Sequence, residues 1–284
     1  MDRSPEDGFV LAVSGKGYLP LTIRAAQTLR DHHPGHPIDL FTDVPCDASV
    51  FSRVHMLEAS GFRPKFEALR RSRFARTIYL DGDVICTAPI ADVFELLDRH
   101  DIAATHEPNR NADWGRREFR RPLPPAFPQI NSGCLGLRAS PRTEAFIRSV
   151  ETALAESGFD RDQPVLRELL FDSDLRLAVL PPEYNFMETI SLEAMGRRHT
   201  APRIMHLPRL HKHLRKVRRR RELRTLGEVC GPRRARHIAR LIAADRTLGG
   251  SGQARPLLQR GLPGAVHWLV EDLPAGLRRL FTRY

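Results

Sequence analysis

The chain has 284 residues, a hydrophobic fraction of 41% and a formal net charge of +11, enough for one large domain or a domain plus an appendage. No run of about 18 apolar residues exists, so no membrane-spanning helix is expected, and at 7% aromatics no base-stacking surface is advertised. The four cysteines have no paired spacing, which argues against a disulfide framework or zinc site; with a polar, acidic start that does not resemble a secretory signal, a cytoplasmic protein with reduced thiols is expected.

Residues 9–13 are a continuous apolar run of strand length, read as a buried parallel strand. Ser14-Gly15-Lys16-Gly17 follows, then a helical pattern over residues 19–32. Such a turn either holds a phosphate near the helix N-terminus or is a plain strand-to-helix connection. Its spacing does not match a nicotinamide-binding fingerprint. Residues 38–41 and 54–57 read as strands, residues 62–73 as a helix carrying Lys65, and residues 77–80 as a further strand. That strand ends in Asp81-Gly82-Asp83. Residues two apart in extended chain point to one side, so both carboxylates can aim at one point, and Gly82 would allow close approach to the backbone. Clustered carboxylates suit a hard divalent cation, Mg²⁺ or Mn²⁺, often shared with a phosphate-bearing substrate. Aspartates also collect in turns, but here a strand precedes the pair and a helix pattern over residues 90–97 follows it.

A strand over residues 102–105 ends in His106-Glu107. Residues 108–128 carry no periodicity and are expected to be a lid, a binding loop or disorder. Gln129-Ile130-Asn131-Ser132-Gly133 opens another strand with small polar residues. Helices are expected over residues 141–156 and from Asp162, a candidate N-cap followed by Pro164. A strand over 175–180, a rigid turn around Asn185 and a short strand ending at His206 complete the series. Strands alternating with helices predict an open α/β fold with a mostly parallel sheet, whose ligands bind at the carboxyl ends of the strands.

The order of these pieces resembles the GT-A fold nucleotide-sugar glycosyltransferases, family 8 type, which include glycogenin and lipopolysaccharide galactosyl- and glucosyltransferases. The resemblance rests on Tyr18 after the first turn, Lys65, Tyr79-Leu80-Asp81-Gly82-Asp83, Asn131-Ser132-Gly133, Asp162-Gln163, Leu180-Pro181 with Tyr184-Asn185, and His206 with Lys212, spanning about three quarters of the chain. It departs from the family's ending, with Arg209 in place of a glycine and His213 in place of a proline. It implies a Rossmann-like GT-A domain over residues 1–212 and transfer from a nucleoside diphosphate sugar, with UDP as the carrier and retention of stereochemistry. Asp81, Asp83 and His206 would bind the metal, with imidazole favouring Mn²⁺. Lys212 and Lys65 would add charge near the phosphates. Asn131, Asp162 and Gln163 would hold the sugar, with Asp162 nearest the anomeric carbon. Ser14, Tyr18, Ser132, Gly133 and Asn185 complete the substrate set.

The excess charge lies in one block: residues 209–246 carry fourteen Lys or Arg and three acids, and the remainder is neutral. Residues 213–284 are expected to be a basic helical region with a Gly/Ser linker at 249–252 and an amphipathic tail containing Trp268. It is either a solvated face with a packed tail or a contact for an anionic membrane surface, which would suit a lipid-linked or lipopolysaccharide-type acceptor. Nucleic-acid binding lacks the aromatic interleaving it needs. Two rivals to the transferase are a sugar-phosphate nucleotidyltransferase and a non-catalytic scaffold.

Overall fold

The computed structural model describes residues 4–58, 63–208, 210 and 226–257. The protein divides into two compact units, Met1–Met187 with Arg203–Glu222, and Glu188–Pro202 with Leu223–Tyr284.

The first unit is organised on strand β1 (Ser4–Val13). Its side chains alternate between two apolar layers, Phe9, Leu11 and Val13 on one side and Val10 and Ala12 on the other. Burial on both faces is why the run reads as continuously apolar. The strand is longer than expected. Asp7 pairs at 2.6 Å with Arg76 on β4 (Phe74–Leu80), so an ion pair takes over where apolar packing ends. β1 also pairs in parallel with β2 (Ile38–Thr42), which in turn pairs with β3 (Arg53–Met56). Beyond β4 come β7 (Ile130–Arg138), β6 (Ile102–His106) and β8 (Leu177–Val179), giving the order β3-β2-β1-β4-β7-β6-β8. Only β7 runs against its neighbours in this sheet.

Helix α1 (Leu19–His32) packs Ala25, Ala26 and Leu29 on one face of the sheet. Helices α2 (Lys65–Arg71), α5 (Pro141–Ser157) and α6 (Asp162–Phe171) cover the other through Phe66, Leu69, Ile147, Val150 and Leu166. Helix α3 (Asp92–Leu96) is shorter than its sequence pattern, and strand β5 (Val84–Cys86) intervenes between Asp83 and the helix. β5 pairs with β9 (Ile204–His206) in a second, two-stranded antiparallel sheet.

The long connection after β6 is an ordered loop with a single turn of helix, α4 (Asp113–Arg116). Two residues of α6 pin it. Arg167 donates to the carbonyls of Phe127 and Leu123, and Glu168 accepts from the backbone amides of Arg120 and Arg121.

The second unit holds helices α7 (Leu226–Cys230) and α8 (Pro232–Ala244). α8 buries His237, Ile238, Leu241 and Ala244 while Arg233, Arg236 and Arg240 are exposed. The stretch expected as a flexible linker closes this helix. Gly250 and Gly252 bond back to Asp245 and Ala244 at 2.7 Å, and Gly249 and Gly252 have φ of 79° and 74°. No described helix is long and apolar enough to cross a membrane. Cys86 and Cys134 are buried free thiols and Cys46 and Cys230 are half-buried. The run Arg218-Arg219-Arg220-Arg221 and the amphipathic tail lie outside the described residues.

Candidate active site

The site grows from the carboxyl end of β4. Asp81 leaves the strand with its backbone N–H still bonded to the Gly133 carbonyl on β7, at 2.9 Å. Asp83 leads into β5, whose first residue, Val84, is the register partner of His206. The Leu207 amide donates to the Asp83 carbonyl at 2.9 Å. Pairing of two short strands distant in sequence therefore delivers the imidazole to the carboxylates. One ligand atom from each of Asp81, Asp83 and His206 lies within 4.8 Å of the others. His206 Nε2 is 3.3 Å from Asp83 Oδ1.

A relay of amides aims this imidazole. Asn185 donates through Nδ2 to Asn131 Oδ1 at 2.8 Å, so its own Oδ1 is the acceptor facing His206 Nδ1, at 2.9 Å. Nδ1 thus carries the proton in the neutral ring, and Nε2 is the atom turned to Asp83. Asn131 Oδ1 also accepts from the Gly133 amide at 3.0 Å. Asn131 Nδ2 donates to Glu107 at 2.8 Å, and Gln163 Nε2 donates to the same oxygen at 3.0 Å. Burial presses His206 towards neutrality, but Asp83 and then Asp81 raise its pKa above the ordinary value.

The two glycines serve packing. A Cβ on Gly133 would stand 2.3 Å from His206 Cε1, and one on Gly82 would stand 2.4 Å from Thr22 Oγ1 on α1. The smallness of Gly82 admits helix α1.

Lys65 is not a solvated helix residue. It is 4% exposed. Its ammonium lies 3.0 Å from Asp81 Oδ1, 3.0 Å from Ser132 Oγ and 3.7 Å from Asp162 Oδ2. Burial opposes its charge, but Asp81 and Asp162 prevail and raise its pKa. Tyr79 adds a hydroxyl donor to Asp81 Oδ1 at 2.8 Å.

Asp162 is the first residue of α6, and the N-cap position expected for it belongs to Arg161. Its carboxylate accepts from the Ser132 hydroxyl and faces Lys65 and, at 3.4 Å, Arg63 Nε. Burial would raise its pKa, but Lys65, Arg63 and Ser132 hold it below the ordinary value. Arg63 adopts φ of 68°, which costs a non-glycine residue roughly 1 kcal/mol. Arg63 and Glu107 join the site without a sequence motif of their own. Glu107 had one signal, its place at the end of a strand; Arg63 had none.

Ser14 belongs to a separate group. Its hydroxyl donates to Asp43 Oδ2 at 2.5 Å, and the Gly15 amide donates to Asp43 Oδ1 at 2.7 Å, tying the ends of β1 and β2 together. Tyr18 sits at the N-cap of α1, half-buried against the core. Lys212, with Arg209 and His213, lies outside the described residues.

Residues 76–219, a stretch that contains the carboxylate pair, the amide relay and His206, match the family model described as nucleotide-diphospho-sugar transferase. The chain belongs to this family. Among solved structures, the transferase resembles the galactosyltransferase LgtC in complex with donor and acceptor sugar analogues, with a TM-score of 0.51 at 14% identity over 72% of this chain and 87% of that one. An active-site mutant of LgtC aligns with a TM-score of 0.53 at 12% identity over the same shares. The glycosyltransferase GlyE of Streptococcus pneumoniae TIGR4 aligns with a TM-score of 0.50 at 20% identity, over 71% of this chain and 55% of GlyE. No curated protein sequence matches the chain. The family match identifies a glycosyltransferase, and the structural neighbours share its GT-A fold.

Proposed function

We propose that the transferase uses a nucleoside diphosphate sugar, carried on UDP, and passes the sugar with retention to a glycan or glycolipid acceptor. Asp81, Asp83 and His206 would hold a divalent cation. The observation that carries this is the convergence of two carboxylates and a correctly turned imidazole nitrogen within 4.8 Å. The donor set fits the ion: carboxylates with one neutral imidazole suit Mn²⁺ better than Mg²⁺. When bound there, the cation would stabilise charge on the departing diphosphate without proton transfer.

The surrounding residues supply order. Lys65 and Tyr79 hold Asp81 in place. Asn185, Asn131 and Gly133 keep Nε2 of His206 turned to the carboxylates. Asp162, Gln163, Asn131 and Ser132 would hold the sugar. Asp162 would act as a fixed negative charge near the anomeric carbon, since its protonation is disfavoured by Lys65 and Arg63. Ser14 and Tyr18 would contact the nucleotide, and Lys212 the diphosphate. We place the protein in the cytoplasm, with the arginine-rich segment against the inner face of an anionic membrane.

Calorimetry with UDP tests the site: tight binding with Mn²⁺ and at least tenfold weaker binding without it is expected. Equal affinity in both conditions would remove the metal assignment. A donor-hydrolysis screen over UDP-sugars identifies the sugar, and vesicle flotation of the full chain tests the membrane contact, with equal recovery on anionic and neutral vesicles counting against it.

A further inference from the structure

The loop after β6 carries five arginines against two acids between residues 108 and 128. It packs against the segment leading into α6. Arg117 stacks 4.4 Å over Phe159 and pairs with Asp160, Phe119 meets Phe159 edge-on at 5.3 Å, and Arg161 lies 5.6 Å over the Trp114 ring. The two segments therefore present one surface. Both lead into the site network, since Arg161 precedes Asp162, and Gln129, which donates to the Trp114 carbonyl at 3.1 Å, lies two residues before Asn131.

The charge on this surface is not balanced. Asp113 pairs with Arg116, Asp160 with Arg117 and the nearby Asp172 with Arg121, which leaves Glu118 as the loop's one acid outside these pairs. Arg110, Arg120 and Arg161 have no carboxylate within ion-pair distance among the described residues. They rest on the Pro125 carbonyl, the Phe119 ring and the Trp114 ring, none of which neutralises a guanidinium. Trp114 is 42% exposed, so a large apolar face stands in water between cations. A flat ring that shields one face of a sugar, beside planar forks that match carboxylate or phosphate, is a recognition surface for a charged saccharide.

We propose that this face binds the acceptor and that the acceptor is an anionic saccharide bearing a carboxylate or a phosphate. The proposal rests on the transferase reading of the neighbouring site.

The chain's two tryptophans are Trp114 and Trp268, so the full-length Trp268→Phe protein reports Trp114 alone by fluorescence. It is titrated without donor against trigalacturonate, glucose 6-phosphate, neutral maltotriose and inorganic phosphate. Saturable quenching by at least one anionic saccharide is expected, with neither maltotriose nor phosphate matching it; which anionic sugar responds separates the carboxylate from the phosphate. Arg161→Gln and, separately, Arg110→Gln should each weaken that binding roughly tenfold, with circular dichroism unchanged. Quenching by maltotriose or phosphate of equal strength, no quenching by any of the four, or no effect of either variant overturns the proposal. Donor hydrolysis in the same preparation reports separately. Its absence with quenching intact defeats the transferase reading, whereas the reverse defeats only the acceptor surface.

Discussion

Asp39 and Asp81 are carboxylates at opposite ends of parallel strands in one sheet, and their surroundings differ. Asp39, near the start of β2, is 1% exposed and fully answered: Arg73 donates at 2.8 Å and 3.3 Å, and His55 sits at 3.1 Å. Asp101, just before β6, is closed in the same way by Arg138 and the Arg176 amide. Asp81, past the end of β4, keeps a quarter of its side chain exposed and stands near a second carboxylate, Asp83, and an imidazole. Charge at the first end closes on itself and serves stability. At the second end Lys65 meets Asp81 at 3.0 Å, yet two carboxylates and an imidazole converge there beside partly exposed surface, the arrangement of a site that takes a ligand.

This contrast breaks most sharply at Asp83. Asp83→Asn is expected to lower metal-dependent donor hydrolysis by about a thousandfold. Activity within tenfold of the parent would show that Asp83 holds no ion. Gly133→Ala should cost about a hundredfold in kcat, since the new methyl displaces the His206 ring from its position. A crystal structure of that variant with His206 unmoved would refute the packing account. Asp39→Asn should do the reverse, destabilising by about 2 kcal/mol through the unpaired Arg73 while leaving kcat intact below the melting temperature; denaturant midpoints and rates measured together decide it.

The smallest effect is in pH. Burial would raise the pKa of Asp39, but hydrogen bonds from His55 and Arg73 hold it below the ordinary 3.8. Its contribution to stability is therefore complete above 3.8 and is lost as pH falls from there through the lowered folded value. Urea midpoints between pH 3 and 6 should fall more steeply for the parent than for Asp39→Asn. Parallel curves would show that the carboxylate is not preferentially ionised in the fold.

Much of the fold was legible because parallel strands buried on both faces read as apolar runs, and α1 begins at Leu19 and ends at His32 where its period says. The carboxylate pair was legible because a strand ends there. β5 was not, since three apolar residues after a turn carry no period. For Asp162 the local pattern leaves a cap and a site role both open, because Asp before a helix with Pro in its first turn suits either; Lys65 and Arg63, packed from elsewhere, claim its carboxylate. The glycines at 249–252 looked like a spacer because glycine also supplies the positive φ that ends a helix.

The amino-acid order by itself determined most of the strands and helices and which carboxylates stand at a strand end, since each depends on neighbours within a few residues. Tertiary structure decided that His206 faces Asp83, that Glu107 joins Asn131 to Gln163, and that Lys65 lies inside the molecule. Those facts depend on which distant segments pair and pack, and on which charges burial obliges to find a partner, and no local pattern records either.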